Sequence, residues 1–88
     1  MHAVVFQVDF VPGREQQQDS ELDIVSDMTR SAPGFVHGTW MGDGKRGVSC
    51  LLFDSEEAAR TVADNAALPP DAAARFRSVD VYAVARDI

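Results

Sequence analysis

Side chains with obvious chemical reactivity are few in this chain, and they stand apart from one another. His37 could act as a general base, because an imidazole titrates near neutrality, but no carboxylate stands at a spacing that would orient it. Cys50 lies within the apolar run 48–53, which predicts a buried and inert thiol. The two histidines and the scattered acids show no metal-ligand spacing. The sequence therefore predicts no metal site and no identifiable catalytic residue.

Length and composition are those of one small acidic domain spanning residues 1–88. The net charge is −6, with 14 acidic residues against 8 basic ones, which argues against nucleic acid as a partner. No apolar stretch approaches the roughly 18 residues that a membrane span needs. Gln7 and Asp9 interrupt the N-terminal apolar run, and no basic segment precedes it, so no signal peptide is expected. The predicted location is the cytoplasm.

The first half of the chain predicts a strand followed by a helix. Between residues 3 and 11 apolar side chains alternate, so that Val4, Phe6, Val8 and Phe10 line one face of the strand. Residues 14–31 then show the three-to-four spacing of an amphipathic helix. Its apolar stripe is predicted to face the sheet and consists of Leu22, Val25, Met28 and Ala32, with Ile24 beside it.

The second half predicts two strands, a helix and a last strand. Residues 35–41 and 48–53 form a hairpin around Gly42-Asp43-Gly44-Lys45, where glycines supply positive φ. A second helix follows, with Asp54 as its predicted N-cap and Glu57 at the capping-box spacing. A short turn is predicted over residues 71–75, and the last strand over 77–85. The order is βαββαβ, a ferredoxin-like α+β domain with both helices on one face of a four-stranded antiparallel sheet.

Three stretches carry a family resemblance that covers nearly the whole chain. They are residues 11–15 before the first helix, 32–35 before the second strand, and 53–59 at the start of the second helix. With the element order, they resemble the dimeric α+β barrel superfamily and its small antibiotic-biosynthesis-monooxygenase-like group. The resemblance implies a homodimer in which two open sheet faces meet as a barrel and enclose a pocket. A lone domain would expose Val5, Tyr82 or Val84, and either Trp40 or Met41.

The resemblance also suggests how such a pocket would be used. In cofactor-free monooxygenases of the group, a pocket binds an electron-rich phenol. Here Gln7 or Asp9 could hydrogen-bond the phenol, and Trp40 and Phe53 could stack on its ring, with His37 as a further lining residue. Trp40 could equally anchor the dimer interface, and Gln7 and Asp9 could be ordinary polar lining. Which face of strand 35–41 looks inward is left open.

The residues of this chain argue against heme chemistry. The heme-degrading members of the group that this chain resembles carry an Asn on the first strand, a Trp at the end of the third strand and a His ligand near the second helix. This chain has Gln7 and Phe53 at the first two places and no histidine between Asp54 and Ile88. The expectation is a protein without a cofactor and not a heme oxygenase: if an enzyme, a cofactor-free monooxygenase acting on a small aromatic molecule. A non-catalytic ligand-binding or structural homodimer is the alternative.

Overall fold

The computed structural model describes residues 1–88 and confirms the ferredoxin-like βαββαβ order. All strand pairs are antiparallel, and the sheet order is β2-β3-β1-β4. Both helices lie over one face of this sheet, so the opposite face, here called the open face, has no covering element. The elements are β1 (His2–Phe10), α1 (Glu15–Arg30), β2 (Phe35–Gly42), β3 (Arg46–Phe53), α2 (Glu56–Asn65) and β4 (Ala74–Ala83).

The core is thin and lies between α2 and the central strands. Val4 and Phe53 are fully buried there, and Ala59 of α2 packs against them. Alanine side chains are short, which lets α2 approach β1, β3 and β4 closely. The alternation predicted for β1 is confirmed, because Val4 and Phe6 are buried on the helix side.

Helix α1 corrects the prediction that its apolar stripe packs on the sheet. Thr29 is its one buried residue, whereas Leu22, Ile24, Val25 and Met28 are exposed. No close packing joins α1 to a strand. The 3.6-residue period gives an apolar stripe, but it does not fix how closely the stripe approaches its neighbour. Neither helix has the length and apolar character that crossing a bilayer requires.

Polar contacts hold α1 in place instead. The backbone N–H of Ala73 donates to both carboxylate oxygens of Glu21, at 2.9 and 3.1 Å. The Arg14 guanidinium donates to the carbonyl oxygens of Pro70 and Ala72, at 3.3 and 3.0 Å, and the Gln17 amide donates to the carbonyl oxygen of Asp71 at 3.1 Å. These bonds tie the N-terminal half of α1 to the segment 70–73, which leads into β4.

The beginnings of the later elements differ from the prediction. Ser55, and not Asp54, is the N-cap of α2, because its hydroxyl accepts the N–H of Ala58 at 3.1 Å. Strand β4 begins at Ala74, where a turn was predicted, because Ala74 pairs with Phe10 across the sheet. The predicted hairpin turn is confirmed, with Gly44 at φ +92° and the Asp43 carboxylate accepting the N–H groups of Lys45 and Arg46.

Candidate ligand-binding site

The five residues predicted to bind a ligand divide between the two faces of the sheet. Gln7, Asp9 and His37 lie on the open face, where they pair with Val48, Arg46 and Leu52 respectively. Trp40 pairs with Ser49 on the helix side and packs against the core, and Phe53 is fully buried there. One chain therefore does not bring the five together.

The open face changes character along its length. Its His37 end is aromatic and apolar, with Leu52 and the exposed Tyr82 in the same row of paired residues. Asp9 lies at the other end of the open face. Its partner on β3, Arg46, is six residues from Leu52, which corresponds to roughly 20 Å. The Thr39 hydroxyl lies 3.4 Å from His37 Nε2, and no carboxylate contacts this imidazole. His37 therefore has no partner that would make it a strong general base.

Cys50 corrects the prediction of a buried thiol. It pairs with Thr39 and Val5 on the open face and is exposed. An apolar run on an edge-proximal strand alternates between two faces, and only Leu51 and Phe53 of this run point into the core together with Ser49. His2 is half-buried, and its Nε2 lies 3.2 Å from Glu56 Oε2.

The helix side carries a flat aromatic surface that the sequence did not reveal as a unit. Phe6 and Phe76 stack with ring centroids 5.5 Å apart, and Phe10 and Trp40 continue the surface toward β2. We call these four residues, Phe6, Phe10, Trp40 and Phe76, the aromatic floor. Phe76 is exposed, and Phe10 and Trp40 are only half-buried.

Glycines under the aromatic floor explain why it is flat. A Cβ atom at Gly47 would lie 2.9 Å from the Phe10 ring, and one at Gly38 would lie 3.1 Å from the Trp40 indole. Because these positions carry no side chain, the two rings lie directly over the strand backbones. The aromatic floor therefore offers a broad apolar plane against which a flat ring can stack.

The exposed stripe of α1 stands on the same side of the sheet as the aromatic floor. We call the region between α1 and the aromatic floor the helix cleft; two hollows in the structure border it, one at Phe10 and Glu15 and the other at Phe76, and Leu22 and Val25 line neither of them. Leu22 and Val25 keep 40% and 36% of their surface accessible, so α1 does not close the helix cleft by apolar packing. An apolar wall and an aromatic floor that both remain partly exposed are typical of a binding site for a flat apolar molecule.

Three carboxylates have pKa values below the ordinary range, and none of them lies within the helix cleft. The N–H groups of Arg46 and Lys45 lower the pKa of Asp43, and the backbone N–H groups of Glu15 and Gly13 lower the pKa of Glu15. The hydrogen bond and the charge of Arg60, with a smaller contribution from His2, lower the pKa of Glu56. These shifts report turn and helix-end contacts, and no group of three or more potential metal ligands is clustered.

Comparison with solved structures establishes the fold. No protein-family model and no curated protein sequence matches the chain. A structure of the heme-degrader MhuD from Mycobacterium tuberculosis with two hemes in its active site superposes with a TM-score of 0.73 at 14% identity, covering 100% of this chain and 99% of that one. An MhuD variant with two manganese protoporphyrin IX molecules per active site gives 0.75 at 15% identity, covering 100% and 98%.

A second kind of protein shares the fold. A variant of SnoaB, a cofactor-independent oxygenase from Streptomyces nogalater, superposes with a TM-score of 0.73 at 13% identity, covering 99% of this chain and 96% of that one. The chain therefore shares the ferredoxin-like α+β fold of these proteins, which is the fold that the three sequence stretches led us to expect.

The comparison also corrects the exclusion of heme. That exclusion rested on the lack of a histidine between Asp54 and Ile88, yet heme-degrading MhuD is among the proteins whose structures this chain matches over its whole length. At this level of identity, functional residues need not occupy equivalent positions, so a missing histidine at one place is a weak argument. The statement that the chain is not a heme oxygenase is withdrawn.

Proposed function

We propose that this protein is a homodimer whose subunits each bind a flat, largely apolar aromatic molecule in the helix cleft, and that it oxygenates that molecule. The observation that carries the proposal is the aromatic floor left partly exposed beneath the apolar stripe of α1. Tetrapyrroles and polycyclic phenols are both flat aromatic molecules of this class. The cytoplasmic location stays a prediction from the sequence.

The chain's own residues suit binding by stacking. The rings of Trp40 and Phe10 extend over glycine backbones, so a flat molecule bound there would contact both of them. Leu22 and Val25 of α1 would cover the opposite face of the ligand and exclude water. Burying these side chains contributes roughly 1.5–3 kcal/mol each when burial is complete. A ligand would thereby supply the apolar contact that α1 lacks.

The fit to heme is good for the ring and poor for an axial ligand. The aromatic floor suits the planar macrocycle. His37 is on the opposite face, and His2, although on the helix side, lies four residues along β1 from Phe6 and is bound to Glu56. The side chains of the helix cleft therefore offer stacking and exclusion of water, and the proposal rests on these two contributions.

The homodimer is supported by what the open face exposes. Met41, Val48 and Tyr82 are exposed on it, in rows that also hold Val5 and Leu52. Apolar patches of this kind mark interfaces. Contact between two open faces would also explain why the core of one chain is so thin, since the sheet would then be packed on both sides.

The single tryptophan makes binding in the helix cleft directly measurable. We expect the fluorescence of Trp40 to be quenched on titration with hemin and, separately, with a dihydroxyanthraquinone, with saturation at one ligand per chain. Leu22→Glu places a charge on the wall of the helix cleft and should weaken binding at least tenfold. Oxygen consumption with each bound compound and a reductant then tests the reaction.

Val48→Glu is the matched control for Leu22→Glu. Val48 is 39% exposed and Leu22 is 40% exposed, but Val48 lies on the open face. We expect Val48→Glu to dissociate the dimer in native mass spectrometry, by at least about 100-fold in dissociation constant, because it buries a charge in the interface. Equal ligand affinity in wild type and Leu22→Glu would contradict the helix cleft, and a wild-type monomer would contradict the dimer.

A further inference from the structure

Basic residues are concentrated at one end of an otherwise acidic molecule. The net charge is −6, and the chain has only eight lysines and arginines. Four of them lie together at the Asp9 end of the sheet: Lys45 and Arg46 at the start of β3, and Arg75 and Arg77 in β4. Strands β3 and β4 flank β1, so these side chains approach Asp9 of β1 from both sides.

Two of the three arginines contact one carboxylate, that of Asp9, and the third pairs with Asp9 in the sheet register. Arg46 pairs with Asp9 in the β1–β3 register, and its Nε lies 3.9 Å from Asp9 Oδ1. Arg77 Nε lies 3.3 Å from both oxygens of Asp9. Arg75 pairs with Asp9 in the β1–β4 register and takes part in no ion pair or side-chain hydrogen bond of its own. We call Arg46, Arg75 and Arg77 the arginine cluster.

Alternation along β4 places Arg75 and Arg77 on the open face, and Arg77 is also the site of a β-bulge. Phe76 pairs with Val8 on the helix side, and Ser78 pairs with Gln7 on the open side, so Arg77 is the extra residue of the register shift. Its contact with Asp9 shows that it also points to the open side. Bulges commonly re-aim side chains at functional sites. Strand β4 thus contributes two arginines, Arg75 and Arg77, to the open face.

Asp9 neutralises only one of the three guanidinium charges. Two further carboxylates lie nearby, but each is engaged by backbone: Asp43 accepts the N–H groups of Lys45 and Arg46, and Glu15 accepts that of Gly13. Neither forms an ion pair with the arginine cluster. Each guanidinium has five N–H donors, so most donors of the cluster remain available to a ligand.

Space for a ligand is present on both sides of the cluster. A hollow of about 530 Å³ borders Arg46 and extends to Phe10 and to Glu15 of α1, and another of about 370 Å³ borders Arg75 and extends to Phe76 and the segment 68–70, so both reach around the sheet end toward the helix side. Both are open to solvent. A ligand reaching the cluster could therefore place an anionic group among the guanidinium groups and an apolar part in either hollow.

We propose that the arginine cluster binds the anionic group, a phosphate or a carboxylate, of a small molecule. Guanidinium groups bind both oxyanions through paired, nearly parallel hydrogen bonds, which makes them selective for these planar or tetrahedral anions. The arginine cluster stands at the Asp9 end of the open face, which the proposed dimer brings against a second copy of the chain, so the oligomeric state is measured together with anion binding.

Calorimetric titration at low ionic strength with pyrophosphate and with phthalate tests the proposal, because salt screens such contacts. We expect the double variant Arg75→Gln/Arg77→Gln to lose at least about tenfold in affinity for the preferred anion. The matched control is Arg30→Gln/Arg60→Gln, which changes net charge equally on the helices, where both arginines pair with acids. It should change affinity less than about twofold.

Asp9→Asn provides a second test, in which the affinity for the anion should rise and not fall. Because the Asp9 carboxylate competes with the ligand for the same donors, its removal should tighten anion binding about threefold. Preference for pyrophosphate or for phthalate assigns the anionic group as a phosphate or a carboxylate.

Three results would overturn the proposal. One is an absence of saturable binding of either anion up to about 10 mM by the wild type. Another is an equal loss of affinity in both double variants, which would mean that net charge alone is sensed. The third is a weaker dimer in Arg75→Gln/Arg77→Gln with anion binding unchanged, which would assign the cluster to contacts between copies of the chain.

Discussion

The two helices lie over the same face of one sheet and are held there by different forces. Helix α2 packs through alanines, of which Ala59 is fully buried against Val4 and Phe53. Helix α1 is fixed by hydrogen bonds to the segment 70–73, in which Glu21 accepts and Arg14 and Gln17 donate, while its apolar stripe remains exposed. The difference indicates that α2 builds the core, whereas α1 contributes little apolar packing to it.

The largest effect is expected where α2 packs most tightly. Ala59→Leu adds three carbon atoms at a fully buried position and should lower the free energy of unfolding by about 1–3 kcal/mol, because the core has no space for them. Urea denaturation measures the change. Asp64→Leu, on the exposed side of the same helix, should stay within about 0.5 kcal/mol. Equal effects would mean that α2 is as loosely packed as α1.

The polar anchor of α1 should come next. Glu21→Ala removes the carboxylate that accepts the Ala73 N–H and should cost about 1–2 kcal/mol, reduced from the full value of a charged hydrogen bond by partial exposure. Hydrogen exchange within residues 15–30 should quicken with it. Asp23→Ala on the same helix, which has no contact with the segment 70–73, should do neither. An unchanged exchange rate in Glu21→Ala would show that something else fixes α1.

The stripe of α1 should contribute little to the stability of the free protein. Leu22→Ala should change the free energy of unfolding by no more than about 0.5 kcal/mol, because Leu22 is 40% exposed and packs against no strand. The same variant should lose affinity for a flat aromatic ligand. A cost above about 2 kcal/mol without ligand, which is typical of a buried leucine, would show that the helix cleft is closed in solution.

The smallest effect concerns the start of α2. Arg60 and His2 hold the pKa of Glu56 below its ordinary value of 4.5. A lowered pKa in the folded state means that Glu56 stabilises the protein above pH 4.5 and that this contribution is lost as the pH falls through the folded value. The melting temperature of Glu56→Gln should therefore lie slightly below wild type at pH 7 and converge with it near pH 3. Glu57→Gln, whose side chain is unpaired, should show no such convergence.

Local patterns in the sequence were sufficient for the fold. Alternation in residues 3–11, the turn at Gly42–Lys45 and the order of the elements led to the correct sheet and to a resemblance whose fold the solved structures share. The N-cap was misplaced by one residue because Asp54 and Ser55 are both good capping residues, and only the observed hydrogen bond from Ala58 distinguishes them.

The candidate sites could not be predicted because they depend on contacts between distant segments. Glu21 reaches Ala73, and Arg77 reaches Asp9, at separations of 52 and 68 residues. The register shift that places Ser78 opposite Gln7 has no signature in the sequence around it. The aromatic floor depends on Gly38 and Gly47 lying under Trp40 and Phe10, and glycine in a strand is one signal that could have indicated a close approach there.

The measurement that tests the account most directly is hydrogen exchange of both helices with and without bound hemin. If the ligand enters the helix cleft, exchange should slow within residues 15–30 of α1, which gains a packed face, and change little within residues 56–65 of α2, which is already packed. Protection of α1 alone among the helices is the predicted result. Protection confined to the open-face strands, with α1 unchanged, would contradict the account.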